Sequence, residues 1–507
     1  MANRNQTPDV PAFSLRRASS SFLNKTTLDQ LQEQIREVYT ADNRPWVIGY
    51  SGGKDSTTAL QLIWYAISKL PPEDRRKPVH VIASDTLVET PVIVSYIDKT
   101  LARINEAAVR SGMPFTAEKV RPQIKDTFWV NMIGKGYPAP YRRFRWCTDR
   151  LKIQPANTFI EERVSQYGEV VLVLGVRKSE SATRAQVISL HKRPGELLSR
   201  HTVLRNAWVY TPVEDFSTDD VWSYLLNVPS PWGNANRDLV TMYRNAQAGE
   251  CPLVVDKTTP SCGNSRFGCW TCTVVERDKS MEAMIESGEE WMEPLLELRD
   301  WLASTAEPSR KHEYRRVRRR NGKIRVWGED GNKVIWGPYR LEVRKEILTR
   351  LLQVQQKVRA NGPDPHIKLI SDAELHAIRH LWRAEEGDWE DAIPRIYREI
   401  LGEDLDWIHD DVAGSTSLES RVLDAVCTEA GVSNELLREL VDLERELQGL
   451  GRRTSVYERM DEILRKDWRN EAAVLLSIGW KPEVDEEEEE REQGDDAAAE
   501  GGTDAVS

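Results

Sequence analysis

Apolar positions along this chain follow two regimes. Between residues 45 and 175, short dense apolar runs alternate with longer stretches of helical spacing. The run PWVIGY (45–50) passes through a glycine turn into 56–70, where apolar residues recur every three or four positions. PVHVIAS (78–84) is followed by PVIVSYIDKTLARINEAAV (91–109), whose Pro91 suits a first helical turn. FTAEKVR (115–121) and EVVLVLG (169–175) are two further strands, with a helical segment after Asp149 between them. The last run is continuously apolar, as a strand buried on both faces is. Ahead of all these, Thr27 with Gln30 three residues on predicts a capped helix start. Strand and helix in alternation predict an α/β domain on a parallel sheet.

The second regime begins near Trp232, where the pattern weakens and Cys, Gly and Trp accumulate. Turn formers at 328–332 between two short β-prone runs predict a hairpin. Beyond Tyr339 the spacing is helical almost to Trp480. The expected organisation is an irregular arm (1–25), an α/β domain (26–230), a Cys-rich segment (231–300), a basic segment (301–345), a helical domain (346–480) and a disordered tail (481–507). No internal repeat is evident. A length of 507 residues with 40% apolar and 30% charged residues supports two or three domains with real cores. No apolar run is long enough for a membrane span, and the N-terminus lacks the pattern of a secretory signal. Six cysteines in a chain this long are no disulfide framework, so a reducing cytoplasm is expected.

The net charge of −11 conceals two opposed segments. Residues 481–507 hold 12 acidic and 2 basic residues, a net of −10, and are low in apolar content, hence the expectation of disorder. Residues 310–345 hold 13 Lys/Arg against 4 Asp/Glu, a net of +9, together with Tyr314, Trp327, Trp336 and Tyr339. That mixture suits phosphate contact and base stacking, so Arg315, Arg316, Arg318 and Arg319 are candidate DNA contacts, with the acidic tail a competitor. Arg142, Arg143 and Arg145 are the fallback.

The first strand leads directly into Ser51-Gly52-Gly53-Lys54-Asp55-Ser56 and then a helix. Glycines permit a tight turn and close approach to an anion, and the helix N-terminus offers free N–H groups. Lys54 adds a full charge and Ser56 a hydroxyl donor. The spacing is not that of a Walker A loop. The hexapeptide resembles the PP-loop of the ATP pyrophosphatases, in which the loop holds the pyrophosphate end of ATP.

Three further segments resemble the sulfonucleotide-reductase-like branch of that family. Ser84-Asp85-Thr86 with Glu89-Thr90-Pro91 is similar to its Asp-Thr…Glu-Thr element. Gly175-Val-Arg177 through Glu180-Ser181 to Arg184 is similar to its Gly-x-Arg…Glu-Ser…Arg motif, in which Arg177 and Arg184 suit phosphate charge. Tyr210-Thr-Pro212…Asp220-Val-Trp222 is similar to its Pro…Asp-Val-Trp helix start, although Asp219 and Asp220 also favour any helix N-terminus. Asp55 and Asp85 are candidates for Mg²⁺, and Asp85 could equally do no more than end its strand.

Cys262, Cys269 and Cys272 lie in SCGNSRFGCWTCT, and Cys147 lies far upstream in RRFRWCTDRLKI. A C-x2-C turn lets two thiolates face one ion, and spacing alone leaves zinc and iron–sulfur open. Cys427 reads as a small core residue and Cys251 stands apart.

Together, the loop, RRFRWCTDRLKIQP, CGNSRFGCWTC and the helical extension resemble the DndC family of DNA phosphorothioation sulfurtransferases. That resemblance implies a PP-loop fold, ATP and Mg²⁺ use, and a [4Fe–4S] cluster on Cys147, Cys262, Cys269 and Cys272. It further implies DNA as substrate, a cysteine desulfurase as sulfur donor and other phosphorothioation-pathway proteins as partners. In that reading Lys54, Asp55 and Asp85 are catalytic. Ser51, Gly52, Gly53, Ser56, Gly175, Arg177 and Arg184 bind nucleotide. The alternatives are a reductase of adenylylated sulfate, an iron–sulfur tRNA thiolase and a non-catalytic nucleotide-binding scaffold. Against the reductase, the chain has no Glu-Cys-Gly-type tail and keeps an intact Gly-Lys-Asp-Ser loop.

Overall fold

The computed structural model describes residues 22–24, 26–142, 144–180, 196–245, 268–328, 331–407, 417–447 and 456–481. Arg143, Arg184, Cys251, Cys262 and nearly all of the predicted N-terminal arm and acidic tail lie outside the described residues.

Six strands form one sheet: β1 (Trp46–Gly49), β2 (Val79–Ser84), β3 (Phe115–Val120), β4 (Val170–Val173), β5 (Leu198–Arg200) and β6 (Ala207–Tyr210). Their order is β3-β2-β1-β4-β6-β5, parallel except for β5 against β6. The four strands expected from sequence are all present, each within a residue or two of its apolar run. The structure adds the edge pair β5–β6, whose short runs carry no strong pattern. Trp46 stands level with Val79 on one side and Val171 on the other. Strand order therefore reverses between β1 and β4, and ligands of such sheets bind in the crevice that opens there.

Five helices on the sheet follow the expected segments: α1 (Leu28–Thr40), α2 (Lys54–Ser68), α3 (Pro91–Ser111), α4 (Gln154–Tyr167) and α5 (Thr218–Asn227); a sixth, α6 (Asn236–Asn245), lies in the expected Cys-rich segment and packs on the same core instead. Thr27 and Gln30 close the predicted capping box at α1. β1 shows how the pleat splits the core. Trp46 and Ile48 pack with Leu60, Ile63 and Ile67 on one face, whereas Val47 joins Phe159 and Ile160 on the other.

A second core is helical, centred on α9 (Leu341–Asn361) with α7 (Lys279–Glu286), α8 (Glu293–Ser304), α10 (Asp372–Glu385) and α11 (Ala392–Leu401). Residues 128–151, expected within the α/β domain, pack into this core instead. The Trp129 indole donates to Leu369 O at 2.8 Å and the Trp382 indole to Ile133 O at 2.8 Å. Large indoles satisfied across sequence distances this long lie beyond what local periodicity reports.

The predicted hairpin is β7 (Val326–Trp327) against β8 (Lys333–Val334). The helices that follow are α12 (Ser417–Ala430), α13 (Asn434–Leu447), α14 (Val456–Leu464) and α15 (Glu471–Ser477). They dock on the basic segment, and the docking corrects one expectation. Arg315, Arg316, Arg318 and Arg319 do not form an open phosphate-binding face. Arg315 is buried and donates to Gly337 O and Trp336 O at 2.7 and 2.6 Å. Arg316 pairs with Glu386 at 2.8 Å, Arg318 pairs with Glu435, and Arg319 is buried. Trp327, Trp336 and Tyr339 are buried as well. The high local charge is answered by carboxylates from segments far along the chain, which a count of charges along one segment cannot register. Cys427 is a buried core residue, as expected.

No helix among the described residues is long and apolar enough to cross a membrane.

Candidate nucleotide and sulfur site

The loop from Ser51 to Ser56 leaves β1 at the point where strand order reverses. Gly52 takes φ +73°, a left-handed turn that strains any residue with a Cβ. Gly53 caps α2 with no side-chain hydrogen bond, and the first N–H of the helix, that of Lys54, donates to the Tyr243 hydroxyl at 3.3 Å. The Ser51 and Ser56 hydroxyls lie 3.1 Å apart, and Ser56 Oγ donates to Gly53 O at 3.1 Å. These contacts brace the turn.

The segment after β4 closes on the same loop. A Cβ at Gly175 would stand 2.7 Å from Asp55 O and 2.8 Å from Ser56 N, so only glycine allows this approach of the two backbones. Arg177 is fully buried. Its Nε donates to Asp55 Oδ1 at 2.6 Å, and its Nη1 donates to Ser179 Oγ at 2.7 Å, with longer bonds to Phe216 O and Thr218 Oγ1. Its Nη2 is buried without a hydrogen-bond partner. A buried guanidinium nitrogen left unmatched beside an anion-binding loop is what a phosphate oxygen would satisfy.

Lys54 is also buried, its Nζ 3.1 Å from Asp55 Oδ2. Asp55 thus bridges Lys54 and Arg177. Asp85, at the end of β2, receives Lys119 Nζ at 3.2 Å and Arg121 Nε at 2.9 Å. Burial alone would raise its carboxyl, but Lys119, Arg121 and the Leu87 N–H together hold it below the usual range. Both Mg²⁺ candidates are therefore engaged by cations of the chain itself.

The C-x2-C segment docks on the same sheet edge. Glu89 and Cys269 form an antiparallel bridge, the Trp270 N–H donates to Val88 O at 2.9 Å, and Thr86 Oγ1 lies 3.2 Å from Cys269 Sγ. Cys272 N–H donates to Cys269 O at 3.0 Å, closing the turn. The buried Arg299 clamps the end of this turn and the backbone beyond it: Nε donates to Cys272 O at 2.8 Å and Nη1 to Glu276 O at 2.9 Å. Cys147 comes to the same place from the second core.

Electrostatic coupling ties these thiols together. Burial pushes the Cys269 thiol up to about 12, with Lys152 opposing the rise and Glu89 adding to it. Burial, then Cys272, also raises Cys147. Lys152 is held charged chiefly by Cys269 against the cost of burial, with Glu89, Cys147 and Cys272 adding. Glu89 is raised by burial. Three thiols that repel one another as thiolates around one ammonium suit a positively charged metal centre. Among the described residues no group of three or more His, Cys, Asp or Glu side chains is arranged to hold a metal ion. The fourth expected ligand, Cys262, lies outside the described residues.

The structure brings together Ser51–Ser56, Gly175 and Arg177 at one crevice. Cys147, Cys269 and Cys272 all act electrostatically on Lys152, one strand over, and Cys269 bridges to Glu89 beyond β2. Asp220 serves the fold: it completes the capping box with Ser217 at α5 and accepts from the Phe22 N–H at 3.1 Å. Sequence reasoning missed Lys152, Arg299 and Tyr243. Lys152 lay within a quoted motif, but only packing reveals its three thiol neighbours. Nothing in the local sequence marks the other two.

These features have counterparts in known proteins. Residues 45–275 match the phosphoadenosine phosphosulfate reductase domain family. This stretch is similar to that domain. Its mostly parallel six-stranded sheet, followed by a helical region, agrees with that fold. Residues 418–465, across α12 to α14, match a second family, described as a small protein found in certain Dnd DNA modification systems. An uncharacterized protein, MJ0066, of Methanocaldococcus jannaschii is 26% identical over 242 residues, 48% of this chain, and the match spans 39% of that protein's length. Among solved structures, the phosphoadenylyl-sulfate reductase of Candida auris in its phosphate complex is 16% identical, with 42% of this chain and 88% of that chain covered and a TM-score of 0.26. The FMN adenylyltransferase of Candida glabrata with FAD and inorganic pyrophosphate is 13% identical, with 49% and 70% covered and a TM-score of 0.27.

Proposed function

We propose that this chain is an ATP-dependent sulfurtransferase of DNA phosphorothioation. The single observation that carries the proposal is the pairing of a reductase-like nucleotide domain with a segment matching a protein of Dnd DNA modification systems. The crevice and the three gathered thiols supply the chemistry in support.

Replacing a non-bridging phosphate oxygen by sulfur requires that oxygen to become a leaving group. Attack of the DNA phosphate oxygen on the α-phosphorus of ATP forms the activated diester and releases pyrophosphate. The loop amides, Lys54, Ser51, Ser56 and the unmatched Arg177 Nη2 are suited to neutralise the departing pyrophosphate. Arg184 is a further candidate in the same motif. Magnesium would enter with the triphosphate, with Asp55 and Asp85 as its candidate ligands. A sulfur nucleophile then forms the P–S bond while AMP departs with the former oxygen. If the donor is a persulfide from a cysteine desulfurase, a thiol must supply two electrons to split its S–S bond, leaving P–S⁻ and a disulfide.

Cys147, Cys269 and Cys272, with Cys262, would hold a [4Fe–4S] cluster. When bound, it would supply a thiophilic, redox-active centre. Lys152 keeps a positive charge beside the thiolates, and Arg299 holds the shape of the C-x2-C turn. DNA, a cysteine desulfurase and other proteins of the pathway are the partners this reading implies. The cytoplasm is the compartment it implies.

Mass spectrometry of DNA digests from cells with and without this chain tests the reading. Phosphorothioate dinucleotides that depend on the chain and on an intact Lys54 are the expected result. Sulfate or tRNA as the acceptor would instead select the reductase or the thiolase.

A further inference from the structure

Tyr243, on α6, belongs to no motif, yet it reaches the phosphate loop from 189 residues away. Its side chain is only 8% exposed. Its ring packs edge-on against Trp222, with centroids 5.2 Å apart. α6 itself is pinned at its start, where Asn236 donates to Leu225 O and Val228 O at 2.9 and 2.8 Å and accepts from Gln61 at 2.8 Å. The ring therefore points at the loop from a fixed platform. Its hydroxyl accepts from the Lys54 N–H at 3.3 Å, and the Lys54 ammonium lies 5.2 Å from the ring centroid. A Cβ on Gly53 would come within 3.2 Å of that same hydroxyl.

We propose that Tyr243 is a substrate-contacting residue of the loop, its hydroxyl donating to the pyrophosphate end of a nucleoside triphosphate. The inference rests on the reading that this loop holds pyrophosphate. The Lys54 N–H is the first of the α2 N-terminus, one of the donors an anion in the crevice would take. At 3.3 Å the phenol is a weak acceptor for it, so the N–H passes readily to an incoming phosphate oxygen. A hydroxyl can turn its proton toward an anion without moving its ring. Tyr243 then changes from acceptor to donor at the phosphate, while the ring face keeps the Lys54 ammonium in place.

The test is titration of the full chain with magnesium pyrophosphate and, separately, AMP, for wild type, Tyr243→Phe and Lys54→Ala. Tyr243→Phe keeps the ring, its packing on Trp222 and its contact with Lys54, and loses only the hydroxyl. It should stay folded by circular dichroism, its pyrophosphate Kd should rise about ten-fold, and its AMP Kd should stay unchanged, since a hydrogen bond to a charged group contributes roughly that factor or more. Equal loss of pyrophosphate and AMP binding would mark a structural role and overturn the inference. Unchanged or tighter pyrophosphate binding would overturn it too, the latter by making the phenol a competitor. If wild type and Tyr243→Phe bind pyrophosphate alike while Lys54→Ala does not, Tyr243 falls and the loop reading stands. If wild type itself does not bind pyrophosphate, both fall.

Discussion

Arg177 Nε lies 2.6 Å from Asp55 Oδ1, joining the segment after β4 to the loop after β1 across 122 residues. Arg177 is fully buried and the Asp55 side chain is 14% exposed, with Lys54 as its second partner. Removing Asp55 leaves the buried Arg177 guanidinium without its carboxylate, whereas removing Arg177 leaves Asp55 paired with Lys54 alone. Asp55→Asn should therefore destabilise the protein by about 3 kcal/mol, and Arg177→Met by less. The double variant Asp55→Asn/Arg177→Met should recover part of that loss. A denaturant series on the two single variants and the double variant reads the coupling directly.

Lys54→Ala should slow release of pyrophosphate from ATP by roughly 100- to 1000-fold, the usual cost of losing one electrostatic donor at a developing charge. A pyrophosphate-release assay, with circular dichroism as the fold control, measures it. Near-normal release from a folded variant would exclude the loop from the reaction.

Anaerobically purified protein should be brown and carry about four iron per chain. Substituting Ser for Cys147, Cys262, Cys269 or Cys272 should lower the iron content and bleach the absorbance. Iron analysis decides. Stoichiometric zinc in a colourless protein would reject the cluster, and full iron in Cys147→Ser would place the fourth ligand elsewhere.

Reversing Arg316 and Arg318 to Glu should destabilise the fold rather than weaken DNA binding selectively. The two arginines face Glu386 and Glu435, and Val317 and Arg318 donate backbone N–H bonds to Glu471 Oε1 at 3.0 and 3.2 Å. Carboxylates on both sides of this contact should cost at least about 3 kcal/mol. A fall in melting temperature with release of α12 to α15 to proteolysis is the expected result.

Asp442 in α13 has its carboxyl raised to about 6 by burial, with Glu439 adding and Arg445 and Arg438 opposing. The folded value lies above the unfolded one, so the stability this group contributes is fully present below about pH 4 and is lost as pH rises through about 6. Asp442→Asn should therefore stabilise the protein most at about pH 8, and its advantage should shrink steadily from about pH 6 to about pH 4. Melting temperatures of both proteins across that range check the sign. An advantage independent of pH would show that this carboxyl does not titrate there.

The phosphate loop was the most legible part of the site, because a strand, a glycine turn and a helix start are all local. Gly175 was legible as a motif, but its reason is steric: only the fold shows it meeting Asp55 and Ser56. Arg177 was expected to suit phosphate charge. The structure commits Nε and Nη1 to the protein and leaves Nη2, a division that depends on Ser179, Phe216 and Thr218. The basic segment misled because charge density along a chain says nothing about the carboxylates that fold against it.

By itself, the sequence determined the alternation of strand and helix, the loop that follows β1, the hairpin and the caps at Thr27 and Ser217, all of which depend on residues within a few positions of one another. Tertiary structure alone decided that 128–151 leave the sheet for the helical core. It likewise decided that Cys147 meets Cys269 and Cys272 around Lys152, that Arg316 and Arg318 face carboxylates, and that Tyr243 meets Lys54. Each of these joins side chains from segments far apart along the chain. Their partners are chosen by burial and charge compensation in three dimensions, which no periodicity along the chain encodes.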